Sequence, residues 1–102
     1  MNVLKWLEDW YANECNGDWE HTFGIKIETL DNPGWIIKID LEETSLGDVV
    51  IPYQYFEKEE GDFYGFKIEN KQYNAFGDPS KLEFLLLNFQ KIVEDTIRDP
   101  EM

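Results

Sequence analysis

The sequence contains very few of the residues from which reactive sites are usually built. It has one cysteine, Cys15, and one histidine, His21, among 102 residues. A single cysteine excludes an internal disulfide and is typical of proteins in a reducing compartment. One residue of each type also falls short of the Cys/His sets that hold zinc. There is no glycine-rich phosphate loop and no calcium-loop spacing, so we expect neither a metal nor a cofactor.

Basic residues are scarce as well, with 9 lysines and arginines against 22 aspartates and glutamates, and the formal net charge is −13. Nucleic-acid binding relies on a basic surface that neutralises phosphates, so this composition argues against it. Attachment to an anionic membrane is disfavoured for the same reason. A basic protein partner is favoured, because opposite charge speeds the encounter. The alternative is that the acidity only keeps the protein soluble.

Long hydrophobic runs are missing from the sequence. No apolar segment approaches the roughly 18–20 residues that cross a bilayer. The chain does not open with a basic region followed by an apolar stretch, which is the pattern of a signal peptide. We therefore expect a cytoplasmic protein without a membrane partner.

Apolar residues are plentiful at 42% of the chain, and aromatic residues reach 16%. This is enough to build the core of a single domain over residues 1–102. Near residues 2–15 the apolar side chains recur at helical spacing, which predicts an N-terminal helix. Asn2 is its expected N-cap, and the Asn-Gly pair at residues 16–17 is its expected end.

A second helix is predicted over residues 79–97, where a broad apolar face repeats at helical spacing. Asp78 is the expected N-cap. Pro79 would occupy the first helical position, where a missing N–H leaves no bond unmade. Residues 99–102 are expected to fray.

Between the two helices the side chains alternate as they do in strands. Residues 23–41 place apolar side chains at odd positions on both sides of an Asp-Asn-Pro-Gly turn, which predicts a hairpin with one dry face. Further strands are expected near residues 49–57, 63–69 and 72–76. Pro52 lacks an amide hydrogen, so the third strand should lie at an edge or carry a bulge. The predicted fold class is α+β, a four- to five-stranded antiparallel sheet with both helices packed on the dry face.

The candidates for catalysis are Cys15 and His21. A nucleophilic cysteine needs a lowered pKa, which a helix N-terminus or a nearby cation supplies. Cys15 instead follows a predicted helix C-terminus in an acidic setting. His21 would start a strand, where neighbouring side chains point to opposite faces and would not pair with it. These observations predict a protein that is not an enzyme.

A binding surface is better supported by the residues between Asp40 and Asp62, where carboxylates and tyrosines alternate. Tyrosine anchors with an acidic rim suit a basic partner. The candidate contact residues are Glu42, Glu43, Asp48, Tyr53, Tyr55, Glu57, Glu59, Glu60 and Asp62. The alternative is that the aromatic side chains belong to the core and the charges form a solvated face.

The first half of the chain carries three distinctive strings. They are the opening helix with Leu4-Lys5-Trp6-Leu7 and Trp10-Tyr11, the string Gly17-Asp18-Trp19-Glu20-His21, and the string Thr29-Leu30-Asp31-Asn32-Pro33-Gly34-Trp35. This combination resembles the immunity protein 53 family of bacterial polymorphic toxin systems. The second half is similar mainly in size and in its closing helix.

The resemblance implies a small cytoplasmic α+β protein, encoded beside a secreted or contact-delivered toxin, that binds and neutralises this toxin in the producing cell. It implies no catalytic residue, no cofactor and no particular toxin-binding residue. We interpret the shared residues as structural, with indoles filling the core and a carboxylate bonding the amides of a loop. These residues are Trp19, Glu20, Pro33, Gly34 and Trp35.

Two other functions fit the sequence. One is a structural or adaptor domain that self-associates through a sheet edge and through Phe84 and Leu87, which lie outside the apolar face of the last helix. The other is a small hydrolase that uses Cys15 and His21. For the preferred function we expect a monomer or a weak homodimer.

Overall fold

A computed structural model describes residues 2–98 of the chain. Its elements, in chain order, are α1 (Val3–Glu14), α2 (Trp19–Thr22), β1 (Ile25–Leu30), β2 (Gly34–Asp40), β3 (Ile51–Glu59), β4 (Asp62–Glu69), β5 (Gln72–Gly77) and α3 (Leu82–Arg98). The five strands form one antiparallel sheet with the order β1-β2-β5-β4-β3. The predicted α+β class is confirmed, and the predicted short fifth strand lies at the centre of the sheet.

Helices α1 and α3 pack on the same face of the sheet, as the alternation predicted. The Phe89 ring on α3 lies at the junction, with its centroid 5.1 Å from that of Trp10 on α1 and 5.1 Å from that of Tyr73 on β5. Ile37 and Ile39 of β2 are fully buried beneath the helices. This layer forms the hydrophobic core, and among residues 2–98 nothing covers the opposite face.

The first helix begins where the sequence predicted. The Asn2 side chain accepts a hydrogen bond from the Lys5 backbone N–H at 2.9 Å, so Asn2 is the N-cap. The helix ends at Glu14, and Gly17 beyond it adopts a φ of +95°, which favours glycine. The helix therefore stops one turn before the buried Trp19.

A one-turn helix, α2, was not predicted, and the prediction that His21 starts a strand is wrong. The Asn16 side chain accepts hydrogen bonds from the N–H groups of Asp18 and Trp19, each at 2.9 Å. These bonds turn the chain locally, and His21 lies within the resulting helix. Short polar side chains that bond nearby amides compete with strand formation in this way.

The last helix begins at Leu82, so the prediction that Asp78 caps it and Pro79 occupies its first position is wrong. Residues 78–81 form a separate turn, closed by a 3.0 Å bond from the Lys81 N–H to the Asp78 carbonyl. The Asp78 carboxylate is 2% exposed and reaches across to strand β4, where it accepts the Phe63 N–H at 2.9 Å. The predicted fraying of residues 99–102 falls outside the described residues.

Two local features of the strands agree with the sequence. β3 is an edge strand, and its register with β4 shifts between Ile51 and Gln54, so both alternatives predicted from Pro52 are present. Gly34 packs so close to β5 that a Cβ there would lie 2.5 Å from the Gly77 carbonyl oxygen. Only glycine fits at that crossing.

Candidate functional site

The uncovered face of the sheet carries a group of aromatic rings that we call the open-face cluster: Tyr53, Tyr55, Phe63 and Phe76. Phe76 lies at its centre on β5, with the Tyr53 ring stacked at 6.3 Å and the Tyr55 ring at 6.1 Å between centroids. Phe63 packs at 6.4 Å from the same ring. Tyr53 is 59% exposed and Tyr55 is 46% exposed, so the cluster presents a broad aromatic surface to solvent.

Local sequence explains why these rings gather there. The register shift next to Pro52 places both Tyr53 and Tyr55 on the open side of β3. Gly65 lies directly opposite Phe76 on the neighbouring strand, and a Cβ at Gly65 would lie 2.6 Å from the Phe76 ring. The missing side chain lets the ring lie flat across β4 towards the tyrosines. A shallow pocket of about 180 Å³ opens beside Phe76 and Tyr53.

The structure divides the predicted contact residues into two groups at opposite ends of β3. Glu42, Glu43 and Asp48 lie in the loop before the strand, whereas Glu59 and Glu60 lie at its far end. Nine residues of strand, about 30 Å at 3.3 Å per residue, separate them. A single compact interface centred on one end of β3 would therefore contact one group more than the other.

The far-end group adjoins the open-face cluster. The Tyr55 hydroxyl donates to the Glu57 carboxylate at 3.3 Å. Partial burial, and then the negative charge of Glu57, raise the pKa of Tyr55, so its phenol stays a hydrogen-bond donor. Among the described side chains, no ion pair involves Glu57, Glu59 or Glu60. These carboxylates are exposed and available to a cation.

Asp62 differs from its neighbours because it already has a partner. Its carboxylate accepts a hydrogen bond from Lys81 at 2.6 Å, and Lys81 also donates to Asp78 at 2.8 Å. The two carboxylates raise the pKa of Lys81, and this arrangement ties the turn end of the β3–β4 hairpin to the turn before α3. We therefore assign Asp62 to the support of the surface.

The loop before β3 is fixed in place by contacts with the rest of the fold. The Trp19 indole N–H donates to the Glu42 carbonyl at 2.8 Å, and Leu46 is fully buried. Asp48 lies 3.7 Å from the Lys71 ammonium group. Glu43 is exposed, with a φ of +62°. The loop offers two carboxylates to solvent but no aromatic anchor beside them.

The residues that we interpret as structural differ in their surroundings: Trp19 lies in the core as expected, whereas Trp35 does not. Trp19 is 1% exposed, and its ring packs edge-on against Trp10. The Glu20 carboxylate accepts the N–H groups of Asn16 and Gly17, and backbone amides, beginning with its own, lower its pKa despite partial desolvation. The remaining members lie at the hairpin turn, with Pro33 exposed, Gly34 buried and the Trp35 indole donating to the Pro79 carbonyl at 2.9 Å.

Cys15 and His21 show no sign of acting together. The Cys15 thiol donates to the Tyr11 carbonyl at 3.3 Å, and the His21 side chain is exposed on α2. In residues 2–98 no group of three or more His, Cys, Asp or Glu side chains is placed to hold a metal ion.

A protein-family model for immunity protein 53 matches residues 4–94. The chain belongs to the immunity protein 53 family. Searches of curated proteins and of solved structures each found no match. None of the helices in the described range is both long and apolar enough to cross a membrane.

Sequence reasoning about this immunity protein missed two members of its open-face cluster, Phe63 and Phe76. Both looked like ordinary strand residues, and β5 was expected to be short, with no position in the sheet assigned to it. The available signal was Gly65, because an isolated glycine within a strand often marks a close approach by a neighbouring group. Which residue lies opposite Gly65 depends on the order of the strands in the sheet, and alternation alone does not give that order.

Proposed function

We propose that this immunity protein neutralises a cognate toxin by forming a stoichiometric complex with it. The observation that carries the proposal is the open-face cluster, in which the exposed Tyr53 and Tyr55 rings stack on Phe76 beside carboxylates that form no ion pair with any described side chain. Membership of the immunity protein 53 family supports the same conclusion. The protein would act in the cytoplasm of the toxin-producing bacterium, by binding alone and without catalysis.

The cluster has the composition of a binding centre. The exposed Tyr53 and Tyr55 rings, with half-buried phenylalanines beside them, supply a large contact area with little side-chain entropy to lose, and such residues dominate binding energy. Tyr53 and Tyr55 are already stacked on Phe76, so less ordering is required when a partner arrives. Glu57, Glu59 and Glu60 form the polar rim on one side.

The charge of the protein favours a basic toxin domain. A net charge of −13 attracts a cationic partner over several ångströms and raises the association rate. The unpaired rim carboxylates then give the complex its orientation. A toxin that acts on nucleic acid would itself carry a basic surface, and the carboxylates would take the place of substrate phosphates.

A pair of matched charge reversals tests where the toxin binds. The double variant Glu59→Lys/Glu60→Lys alters the far end of β3, and Glu42→Lys/Glu43→Lys changes the same number of charges in the loop at the other end. We expect the first to weaken binding of the toxin domain encoded by the adjacent gene at least tenfold, measured by calorimetry. The second should change the dissociation constant less than threefold.

Truncation of the anchors gives a second measure. Tyr53→Ala/Tyr55→Ala should weaken binding about thirtyfold or more, since interface tyrosines often contribute about 2 kcal/mol or more. Co-expression with the toxin should then no longer protect cells. Unchanged affinity in this variant and in the Glu59/Glu60 variant would remove the open face from the interface, and a stoichiometry other than one to one would contradict simple inhibition.

A second candidate function, self-association, is favoured by an exposed patch on the helix side. Phe84 is 40% exposed and Leu87 is 46% exposed on α3, and Phe56 is 45% exposed on the adjacent strand. Light scattering over a range of concentrations separates the two functions. A mass that rises with concentration and falls back in Phe84→Ser/Leu87→Ser would favour the adaptor.

A further inference from the structure

Within residues 2–98, no strand pairs with the outer edge of β3. The register identifies which of its backbone groups face that edge. Across the sheet, the Asp78 N–H donates to the Phe63 carbonyl at 3.1 Å, so Phe63 directs its backbone groups towards the β5 side. Bonding direction alternates from residue to residue in an antiparallel strand. Tyr64 and Phe66 therefore direct theirs towards β3.

The partners of these residues follow from the pairing of β3 with β4. Phe56 lies opposite Tyr64, and Gln54 lies opposite Phe66. These two residues of β3 use their backbone groups within the sheet. Tyr55 and Glu57, which alternate with them, direct an N–H and a carbonyl each towards the free edge.

The start of β3 is protected against a further strand, and a second register shift lies between Glu57 and Glu59, but the stretch between the two shifts is regular. Pro52 lacks an N–H, and the register shift beside it distorts the edge, and both features discourage pairing. From Gln54 to Glu57 the register is regular, and residues 54–59 contain no proline or glycine and only one lysine, Lys58. A regular edge of this kind accepts an added strand.

Apolar side chains flank this part of the edge on both faces of the sheet. Tyr53 and Tyr55 lie on the open face. On the helix face the Phe56 ring stacks on the Tyr64 ring, with 4.8 Å between their centroids. The Tyr64 ring packs edge-on against Phe84, with 4.5 Å between centroids. An added strand would project alternate side chains towards these two platforms, which supply contact area beyond the backbone bonds.

We propose that an extended, basic segment of the cognate toxin adds to the edge of β3 as a sixth strand, pairing with the backbone of Tyr55 and Glu57. This inference rests on the proposed function and names its mode of binding. Charge selects the occupant, because Glu57, Glu59 and Glu60 lie along the same stretch and form no ion pair with any side chain that the structure describes. A second copy of this chain, itself carrying a net charge of −13, would be repelled.

Amide hydrogen exchange measured by NMR tests the pairing directly. In the free protein the amides of Tyr55 and Glu57 should exchange rapidly, and those of Gln54 and Phe56 slowly. On addition of an inactive form of the toxin domain encoded by the adjacent gene, Tyr55 and Glu57 should become protected at least tenfold.

The other edge strand provides an internal control. The Asp40 N–H donates to the Gly24 carbonyl, so by the same alternation Ile27 and Thr29 of β1 direct their amides to solvent. Their exchange should not change in the complex. Equal protection at both edges would indicate general tightening of the fold and would overturn the proposal.

Proline variants separate backbone pairing from side-chain contact. Glu57→Pro removes an N–H that the sheet does not use, and edge positions tolerate proline. It should weaken toxin binding at least tenfold more than Glu57→Gln, which keeps the N–H and loses only the charge. Thr29→Pro, the matched change on β1, should bind like the unaltered protein, and thermal unfolding verifies that each variant is folded.

The outcomes distinguish failure of this inference from failure of the proposed function. If no complex forms with the toxin domain, the proposed function itself is wrong. If a complex forms while Tyr55 and Glu57 still exchange rapidly, or if Glu57→Pro binds no worse than Glu57→Gln, neutralisation stands and strand addition is wrong. Protection of these amides in the free protein as its concentration rises would assign the edge to a second copy.

Discussion

Asp78 is the most heavily bonded carboxylate in the described chain. It accepts hydrogen bonds from the Ser80 hydroxyl at 2.6 Å, the Lys81 ammonium at 2.8 Å and the Phe63 N–H at 2.9 Å. Burial by itself would raise the pKa of Asp78, but these bonds outweigh it and hold the pKa well below the usual range. One side chain thus joins β4 to the turn that introduces α3.

Replacing Asp78 should therefore be costly. We expect Asp78→Ala to lower the free energy of unfolding by about 3 kcal/mol, because it leaves the part-buried Phe63 N–H without its acceptor and removes one of the two carboxylates that bond the Lys81 ammonium. Chemical denaturation measures the change. Asp62→Ala, which removes the more exposed partner of the same lysine, is the control and should cost less than half as much.

Asp78 also makes stability depend on pH. Its pKa is lower in the folded state than in the unfolded chain, so below about pH 4 the unfolded chain binds more protons and stability falls as the pH decreases. In Asp78→Asn this slope should be shallower. An identical acid dependence in both proteins would assign the effect to other carboxylates.

Single residues also show what local sequence can predict. Asn2 and Pro52 acted as predicted, since a helix cap and a missing edge N–H depend on a few neighbouring atoms. Asp78 did not cap the helix, because its carboxylate accepts hydrogen bonds from the Phe63 N–H, fifteen residues earlier in the chain, and from the Lys81 side chain. A capping pattern read in sequence does not reveal such competing donors.

At the scale of elements, α3 is fastened to the sheet by a buried hydroxyl as well as by apolar packing. The Tyr73 hydroxyl donates to the Leu85 carbonyl at 2.9 Å and accepts from the Asn88 amide at 3.1 Å. Burial raises the pKa of Tyr73 above its ordinary value, although the bond from Asn88 opposes this. The contact lies at the centre of the helix–sheet layer.

We expect Tyr73→Phe to lower the free energy of unfolding by about 1 kcal/mol through the lost hydrogen bond. Above about pH 10 the unfolded chain loses the phenol proton while the folded protein retains it, so stability falls as the pH rises. The variant should lack this part of the alkaline loss, which denaturant titrations at pH 8 and pH 10.5 would measure. Tyr53→Phe, at an exposed site on β3, is the control.

The elements were largely predictable, but their arrangement was only partly so. Alternation gave four or five strands and the face that the helices cover, because burial imposes a period of two. It did not give the insertion of β5 between β2 and β4, which places Phe76 opposite both Ile36 and Gly65. The open-face cluster depends on that insertion, so the predicted site contained its tyrosines without its phenylalanines.

At the scale of the whole molecule, the surplus negative charge should govern how fast the toxin is captured. We expect the association rate to fall at least tenfold between low salt and about 0.5 M salt, while the dissociation rate changes little, because salt screens long-range attraction. Stopped-flow mixing measures both. Glu59→Lys/Glu60→Lys should flatten the dependence, and a rate insensitive to salt would contradict charge-steered capture.

The strand order also bears on how the chain folds. β1 with β2, and β3 with β4 and β5, each assemble from neighbours in sequence, whereas the β2–β5 ladder joins pairs such as Asp40 with Gln72. Closing that long loop costs entropy, so the seam between the two groups should form late. All four rings of the open-face cluster belong to the β3–β5 group. Changing Tyr53 or Tyr55 on β3 should therefore leave the β1–β2 hairpin undisturbed, whereas Phe76 lies directly opposite Ile36 of β2 and ties the proposed binding surface to the far side of the seam.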